Sequence, residues 1–527
     1  MGTLALLSQR VLLFFSEALH YLLALFSTDN RLHRARFARI FELRHLLHPA
    51  PTPDGLLLGT THRHVVTVRA QPTRRELGNL LVVGPTRSGK GLLAVSQLLS
   101  WQHSVVVNDI KGELFAATAG YRATLGDVYV IDPTGVGHSF DPLQGKHTED
   151  EFYSLASHLL FEADERERIF TQRATDMLTQ LFLAARAEGM APFPYTRVLL
   201  REGLTAAAAR LNQVDPLFAA QFLDVKFADA NLSDRFLLSS WGTLKARMKP
   251  LLTETVVRSL TGSTFTAEML MRSDRPVTVY FRWPEQALLA LSPLVRLLWG
   301  SLMNELITSF DKTQGQGCHP VLLLVDEAGR TAIPMLADQA TTVVGRGISL
   351  WIAVQSLSQL ETVYGKARAQ TLKENMEHQL YYPPTDLTTA KYLEEWLGST
   401  SAYAHSTTSR VGAEASVGLA ERPIPLLTAQ EIRQLNEVEL IGFHRRLPPF
   451  RINRLDWRGH PLLRRRRSIA APPLPHLPQL ADRPREKTQS QTYRFPSGYV
   501  DVDLIHTVSE KTIIDLSRQE QEADRRN

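Results

Sequence analysis

The chain is poor in cysteine, the residue on which disulfide-bonded secreted proteins and cysteine-bound metal sites depend. It contains a single cysteine, Cys318, so it can form neither an internal disulfide nor a cysteine cage for a metal ion. This composition fits a reducing compartment such as the cytosol. No internal repeat is present. The charge excess is small as well, because 59 lysines and arginines stand against 54 acids and leave +5. Such an excess permits a nucleic-acid partner without requiring one.

A clean membrane-spanning segment is also lacking. Residues 11–26 are strongly apolar but are interrupted by Ser16, Glu17 and His20, whereas a spanning helix needs roughly 20 apolar residues. We expect a short amphipathic N-terminal helix that lies on a membrane or a partner, with a single imperfect span as the alternative. Residues 1–74 are accordingly predicted to form a membrane- or partner-associated segment.

From residue 79 onward, short apolar runs alternate with helical patterns. The runs lack polar alternation, which suits strands of a parallel sheet that is covered on both faces. Residues 92–101, between the first two runs, have helical spacing. The pattern predicts an α/β fold, with strands at residues 79–84, 104–109, 127–132, 276–281, 321–326, 348–355 and 379–382.

Between residues 150 and 260 the pattern is helical, with many alanines and leucines. Strands on both sides indicate one domain interrupted by another. We predict a discontinuous α/β domain at residues 75–149 and 261–457, and an all-α domain between its two parts. Residues 458–527 contain four consecutive arginines and a proline-rich stretch, and are predicted to be a linker and a polar tail. Both that arginine run and the basic residues 31–39 are either solvated linkers or contacts for phosphate or lipid.

The strongest chemical signal is a phosphate loop between the first strand and the helix. Its glycines let backbone N–H groups turn towards phosphates, and the helix directs its positive N-terminus at them. The lysine supplies a mobile charge for the β- and γ-phosphates of ATP. The predicted nucleotide-binding residues are Gly84, Pro85, Thr86, Arg87, Ser88, Gly89, Lys90 and Gly91.

One position departs from the general phosphate-loop pattern. The residue after the lysine usually offers a hydroxyl to Mg²⁺, and here it is Gly91. The ion must therefore be held by other groups. Asp326, directly or through water, and the hydroxyls of Thr86 and Ser88 are the alternatives.

Two acids follow four apolar residues at the end of a later predicted strand. A strand tip beside the phosphate loop would place Asp326 near the metal and let Glu327 act as the general base for water. An exposed strand end with two ordinary acids is the alternative. The activated water that this pair implies argues against a small-molecule kinase.

Two further residues complete the candidate catalytic set. Gln355 ends the next strand, where it can sense the γ-phosphate, orient water or simply cap the strand. Arg346 precedes that strand in a glycine turn, and we expect it near the phosphate end of the sheet. It could reach a neighbouring subunit's nucleotide as an arginine finger, or form a structural salt bridge.

Taken in order, these motifs resemble those of type IV secretion coupling proteins. The resemblance covers roughly residues 75–455, and Gly91 itself is similar to this family's variant of the loop. The motifs are GPTRSGKG at 84–91, NDIKGE at 108–113, IDPTG at 131–135, SFDPL at 139–143, LLVDEA at 323–328, GRG at 345–347 and VQS at 354–356.

The resemblance implies a RecA-like P-loop ATPase that uses ATP and Mg²⁺ and assembles as a homo-oligomer, a hexamer with a central channel. Such proteins dock a relaxase–DNA complex, or a protein effector, to a type IV secretion channel at the cytoplasmic face of the bacterial inner membrane. Their helical insertion helps to choose cargo. Asp109, Lys111 and Glu113 would lie near the nucleotide, without assigned roles. Family members usually begin with two clear membrane-spanning helices, so here membrane attachment would be peripheral or through a separate protein.

These observations lead to two functional hypotheses. The first is a DNA-stimulated ATPase that recruits and pumps DNA–relaxase complexes, with mainly sequence-independent DNA binding. The second is a recruitment platform for protein effectors, in which ATP acts as an assembly switch. A chromosome-segregation pump would carry a DNA-reading module at its C-terminus, and the sequence after Trp457 is too short and proline-rich for one.

Overall fold

The structure is a computed structural model of the chain and describes residues 33–70, 76–160, 168–330, 333, 335–408 and 416–477. The amphipathic helix predicted at residues 11–26 and the predicted polar tail beyond residue 477 lie outside the described residues.

Most of the described strands belong to one large sheet. In chain order the strands are β1 (Leu47–His48), β2 (Gly55–Thr61), β3 (His64–Arg69), β4 (Leu80–Val83), β5 (Ser104–Asp109), β6 (Val128–Ile131), β7 (Thr278–Arg282), β8 (Val321–Val325), β9 (Ile348–Val354), β10 (His378–Tyr381), β11 (Ser399–Thr408), β12 (Ser416–Pro425), β13 (Glu439–His444) and β14 (Phe450–Asn453). The large sheet has 12 strands in the order β1-β3-β2-β14-β13-β10-β4-β9-β8-β5-β7-β6, and β11 and β12 form a separate two-stranded sheet.

The sheet has a parallel part and an antiparallel part. From β10 through β4, β9, β8, β5 and β7 to β6, every pairing is parallel. From β10 through β13, β14, β2 and β3 to β1, every pairing is antiparallel. Strands β5, β8 and β9 are buried along their whole length, as apolar strands with both faces covered must be. The predicted α/β fold with a parallel-rich sheet is confirmed.

Helices surround this sheet and form the segment that interrupts it. Helix α1 packs against α2, and α17 packs on both. The helices are α1 (Lys90–Ser100), α2 (Glu113–Leu125), α3 (Glu149–Leu159), α4 (Arg168–Ala187), α5 (Pro192–Glu202), α6 (Leu204–Val214), α7 (Pro216–Leu223), α8 (Arg235–Met248), α9 (Glu254–Ser259), α10 (Ala267–Arg272), α11 (Leu288–Thr313), α12 (Met335–Gln339), α13 (Leu357–Tyr364), α14 (Lys366–Glu374), α15 (Leu387–Leu397), α16 (Ala429–Arg433) and α17 (Pro461–Arg467).

The segment between β6 and β7 is helical, as the periodicity predicts. It runs from α3 to α10, so it extends to Arg272, beyond the expected end at residue 260. Helix α4 is central and packs against α3, α5, α7 and α8. Buried aromatic side chains fill the space between these helices, namely Phe152, Phe182, Phe193, Phe222 and Trp241.

The domain that contains the large sheet extends further at both ends than the sequence suggests. Residues 47–69, expected in a membrane- or partner-associated segment, form β1 to β3, and β2 joins the main sheet through β14. Residues 458–477, expected to be a linker, include α17, whose Leu463 is fully buried. Both boundaries were misplaced because these segments are held by pairing partners that are remote in sequence.

The arginine run at residues 464–467 has structural contacts in this arrangement. Arg466 donates to the Leu99 carbonyl at 2.7 Å and lies 4.5 Å from the centroid of the Tyr121 ring. Arg467 lies over the Trp457 ring. These contacts fasten α17 to the domain.

One described helical segment, Glu285–Thr313, is long and apolar enough to cross a membrane by length and composition. Within the protein, 67% of its most apolar window is buried, and its helix α11 packs against α3 and α10. It therefore forms part of the core.

Candidate nucleotide-binding site

The phosphate loop connects β4 to α1 at the carboxyl edge of the parallel strands. Gly84 donates its backbone N–H to the Val354 carbonyl at 3.1 Å, which ties the loop to β9. A Cβ atom on Gly84 would lie 2.7 Å from the Tyr382 Cβ, so glycine is needed there. Arg87 (φ 66°) and Gly89 (φ 109°) adopt left-handed conformations that turn the loop back on itself.

Lys90 folds over this loop. Its Nζ donates to the carbonyl oxygens of Gly84 at 2.5 Å and Pro85 at 2.9 Å, and the residue is only 8% exposed. Burial lowers the pKa of Lys90, while the nearby carboxylates of Asp326 and Glu327 oppose that shift. The ammonium group is thus confined between the loop and two acids.

Asp326 and Glu327 follow β8, which is separated from β4 by β9 alone. Burial, reinforced by the Glu327 charge, raises the pKa of Asp326 to about 7, although Lys90 acts in the opposite direction. Glu327 has a left-handed backbone (φ 55°), which is costly for a residue with a side chain, and its carboxylate lies 3.3 Å from Arg330 Nη1. Backbone strain and a buried carboxyl group with a raised pKa therefore occur together at this strand tip.

The structure places Gln355 at the same edge and Arg346 at the opposite one. Gln355 follows β9, and its backbone N–H donates to Gln359 Oε1 at 3.1 Å. Arg346 precedes β9, so the expectation that it lies near the phosphate end of the sheet is wrong for its own chain. A residue before a strand lies at that strand's amino end, whatever its neighbours in sequence. Arg346 is paired with Asp311 at 2.8 and 2.9 Å.

Asn108, whose function sequence reasoning did not identify, supports this edge. Its Nδ2 donates to the Asp326 carbonyl at 3.3 Å, while its Oδ1 accepts from the indoles of Trp283 and Trp299. The signal that could have identified it was its position at the end of β5, directly beside β8 in the sheet.

The charged residues of the motif at residues 108–113 have local contacts. Asp109 accepts a hydrogen bond from the Phe115 backbone at 2.7 Å and caps α2, and burial raises its pKa. Lys111 lies 4.0 Å from Glu285, and Glu113 is exposed at the start of α2.

The residues present fit a nucleotide with a divalent cation. Ser88 Oγ is buried and has no hydrogen-bond partner, which leaves it available to a ligand. A Cβ atom on Gly91 would meet nothing within 4 Å, so the space that a hydroxyl side chain usually occupies is open. The carboxylate of Asp326 is the oxygen ligand that Mg²⁺ prefers. An open cleft of about 800 Å³ adjoins the loop.

Comparisons with known proteins agree with this geometry. The family model described as type IV secretory system conjugative DNA transfer matches residues 54–470. Conjugal transfer protein TraG of Escherichia coli is 27% identical over 394 residues, covering 67% of this chain and 61% of TraG, so the chain spans less than two thirds of that relative. Protein VirD4 of Rhizobium radiobacter is 25% identical over 510 residues, covering 91% of this chain and 72% of VirD4.

Solved structures share the fold. The bacterial conjugative coupling protein TrwBΔN70, in complex with sulphate, aligns with a TM-score of 0.60 at 17% identity, covering 81% of this chain and 94% of that one. The plasmid coupling protein TrwB in complex with the non-hydrolysable ATP analogue ADPNP also aligns with a TM-score of 0.60. The match to the family model extends over most of the sequence and includes both halves of the sheet. The chain belongs to the type IV secretory system conjugative DNA transfer family.

Proposed function

We propose that this protein is an ATP-hydrolysing coupling protein that recruits DNA–relaxase complexes to a type IV secretion channel and pumps the DNA. The observation that carries the proposal is the arrangement of Lys90, Asp326 and Glu327 at one sheet edge, around a phosphate loop with an unpartnered hydroxyl. A buried ammonium group can bind a nucleotide phosphate, and the two nearby carboxylates can bind the cation that accompanies it.

Each residue has a proposed role in that chemistry. Lys90 turns from the loop carbonyls to the β- and γ-phosphates, and the loop N–H groups bind the phosphate oxygens. Asp326 would hold Mg²⁺ directly or through water, and the ion would supply positive charge to offset the charge that develops on the phosphoryl oxygens. Glu327 accepts a proton from the attacking water, and Gln355 senses the γ-phosphate.

The assembly and its location are part of the same proposal. The chain would act as a homo-oligomer, a hexamer, at the cytoplasmic face of the bacterial inner membrane. Its partners would be DNA, a relaxase and components of the secretion channel. Arg346 would serve the nucleotide of a neighbouring subunit, because within its own chain it lies at the wrong edge of the sheet.

Nucleotide turnover tests the core of the proposal. Lys90→Ala should remain folded and lose ATP hydrolysis, because it removes phosphate contacts made in a partly desolvated site. Lys312→Ala, which removes an exposed lysine at the end of α11, is the matched control and should hydrolyse ATP normally. Near-normal hydrolysis by Lys90→Ala would sink the assignment.

DNA binding tests the motor part. A protein that tracks a strand cannot depend on base edges, so affinity should show little sequence preference. It should fall steeply with salt, with log K decreasing by roughly 0.7 to 0.9 per contacted phosphate for each log unit of salt. Hydrolysis should rise when DNA is added. Salt-insensitive, sequence-selective binding would count against a motor.

The recruitment platform stays the second candidate because the helical segment exposes large apolar side chains. Ile169 is 60% exposed, Leu217 58% and Val198 50%. In the full chain, replacing these three by serine should abolish effector capture on this hypothesis, while Leu289→Ser, at an 89% exposed position outside the segment, should not. Hydrolysis insensitive to DNA, together with this pattern of capture, would favour the platform over the motor.

A further inference from the structure

Arg454 contacts the phosphate loop although it lies near the other end of the sequence. Its Nη1 donates to the Ser88 carbonyl at 3.1 Å. A Cβ atom on Gly89 would lie 3.1 Å from Arg454 Cδ and 3.3 Å from its Nη1. The arginine therefore covers the outer face of the loop at the turn that leads into α1.

The position of Arg454 is fixed by the sheet. It directly follows β14, and its backbone N–H donates to the Val438 carbonyl at 2.7 Å. Strand β14 pairs with β13, and β13 pairs with β10, which is the parallel neighbour of β4. The loop and the arginine are thus held by connected strands, which is the rigid support that a binding residue needs.

Within the described residues, no carboxylate lies within 4.0 Å of the Arg454 guanidinium, so Arg454 forms no close ion pair there. The acid two residues on, Asp456, is held by Arg458 at 2.6 Å instead. A guanidinium has five N–H donors, and the contact with Ser88 uses one nitrogen. The remaining donors are available for an anion.

Arg454 also lines the cleft of about 800 Å³ that adjoins the phosphate loop. Among the side chains lining it, Arg87, Arg433 and Arg454 are basic and Glu437 is acidic. Part of the lining comes from the segment after β10, with Pro383, Pro384, Thr385 and Leu387. A cleft with excess positive charge, beginning at a phosphate loop, suits the part of a nucleotide that extends beyond the β-phosphate.

We propose that Arg454 is a nucleotide-binding residue: its guanidinium contacts the phosphate nearest the ribose of a nucleotide whose nucleoside lies in this cleft, and it braces the loop through Ser88. This inference rests on the proposed function, since it assumes that the loop binds a nucleotide. Arginine suits the task because its planar fork can donate to a backbone oxygen and a phosphate oxygen together.

The test compares two ligands by isothermal titration of the full chain. Loss of a charged hydrogen bond should weaken ADP binding by Arg454→Gln about ten- to a hundredfold. Inorganic phosphate, which can fill the β-phosphate position but has no second phosphate to meet Arg454, should lose much less. Arg451→Gln is the matched control, since Arg451 lies on the same strand and pairs with Glu439; it should bind ADP within about twofold of wild type.

Every outcome bears on the inference. Equal losses for ADP and inorganic phosphate would mean that Arg454 only braces the loop, and unchanged ADP affinity would remove both roles. If Arg454→Gln does not fold, Arg454→Lys takes its place, and a selective loss of ADP affinity supports the contact while no loss overturns it. Wild-type protein that binds neither ligand would instead overturn the proposed function.

Discussion

The two edges of the parallel sheet differ in how far their buried polar groups are satisfied. At the amino edge, the fully buried Asn79 donates to the carbonyls of Ala340 and Asn375 and accepts from the Leu350 backbone, so its amide is satisfied from three sides. At the carboxyl edge, Ser88 Oγ is buried without a partner, and Asp326 carries a raised pKa. Satisfied polar groups stabilise a fold, whereas incompletely satisfied ones at a cleft indicate a place for a ligand.

Backbone conformation can be compared at the same two edges. Arg87 and Glu327, both at the carboxyl edge, hold left-handed conformations that cost about 1–3 kcal/mol each. At the amino edge, the left-handed turn before β9 is made by Gly347 (φ 71°), where it costs no side-chain strain. Two strained residues therefore lie at the candidate site, although non-glycine residues with positive φ also occur in connections elsewhere, such as Arg445 (φ 50°) after β13.

Arg346 gives the strongest test of this contrast between the two edges, because it lies at the amino edge yet is proposed to act in catalysis. If it serves a neighbouring subunit, Arg346→Ala should slow hydrolysis by about 10³-fold or more. Asp311→Ala removes the same ion pair but keeps the guanidinium, so it should hydrolyse ATP normally. Mixed oligomers of Lys90→Ala and Arg346→Ala should regain activity at shared interfaces.

A purely structural role of Arg346 predicts a different result. Arg346→Ala and Asp311→Ala would in that case both lose little stability, as is usual for exposed ion pairs, and turnover would be unchanged. No recovery in demonstrably mixed oligomers would also favour the structural role.

Glu327→Gln should produce the next largest effect, at the carboxyl edge. The amide keeps the shape but cannot accept a proton, so turnover should fall by about 10²–10⁴-fold while ATP binds at least as tightly. Single-turnover kinetics and equilibrium binding check the two halves separately. Glu268→Gln, at an exposed ion pair in α10, is the control. Lost binding with retained turnover of bound ATP would make Glu327 a structural or metal residue.

Asn79→Ala should affect stability and leave the nucleotide site intact. The change leaves buried backbone groups without partners, at a cost of about 1–3 kcal/mol for each such group. Denaturant unfolding measures the loss, and ADP affinity of the folded fraction should be unchanged. A drop in ADP affinity without a loss of stability would show that the amino edge is not merely structural.

A histidine pair at the amino edge predicts a smaller, pH-dependent effect. His378 and His444 are stacked, with 2.9 Å between their Nδ1 atoms, and His378 Nε2 contacts the Leu77 carbonyl at 2.7 Å. Burial lowers the pKa of both residues, and His378, Arg445 and His45 further disfavour a proton on His444. The unfolded chain therefore binds protons that the folded chain does not.

The sign of the effect follows from those lowered pKa values. Stability should be fully present above the unfolded histidine pKa near 6.5, and should fall as the pH drops below it, by about 1.4 kcal/mol per pH unit for each histidine. Unfolding measured between pH 7.5 and 5 should show a shallower decline for His444→Gln than for wild type. The exposed His147→Gln should keep the wild-type slope. Equal slopes in all three proteins would contradict the prediction.

Much of the fold was predictable because its signals are local. The strand-like runs from residue 79 to residue 382 became β4 to β10, since an apolar run between turn residues carries its own preference. The phosphate loop was equally readable, as glycines and a lysine at fixed spacing between a strand and a helix leave few other structures. The position of the two acids after β8 was also predictable, because the carboxyl ends of parallel strands lie at one edge of a sheet.

The tertiary structure alone decided what depends on pairing across the chain. Strands β2 and β14 meet although they lie at opposite ends of the domain, so neither boundary could be inferred from composition. The same closure brings Arg454 to Ser88. Strand direction, not sequence proximity to the acids, separates Arg346 from the loop. The sequence thus determined which segments form strands and which residues carry phosphate chemistry, because those depend on neighbours along the chain. Only the tertiary structure could place them, because pairing between distant segments is selected by the burial of the whole sheet.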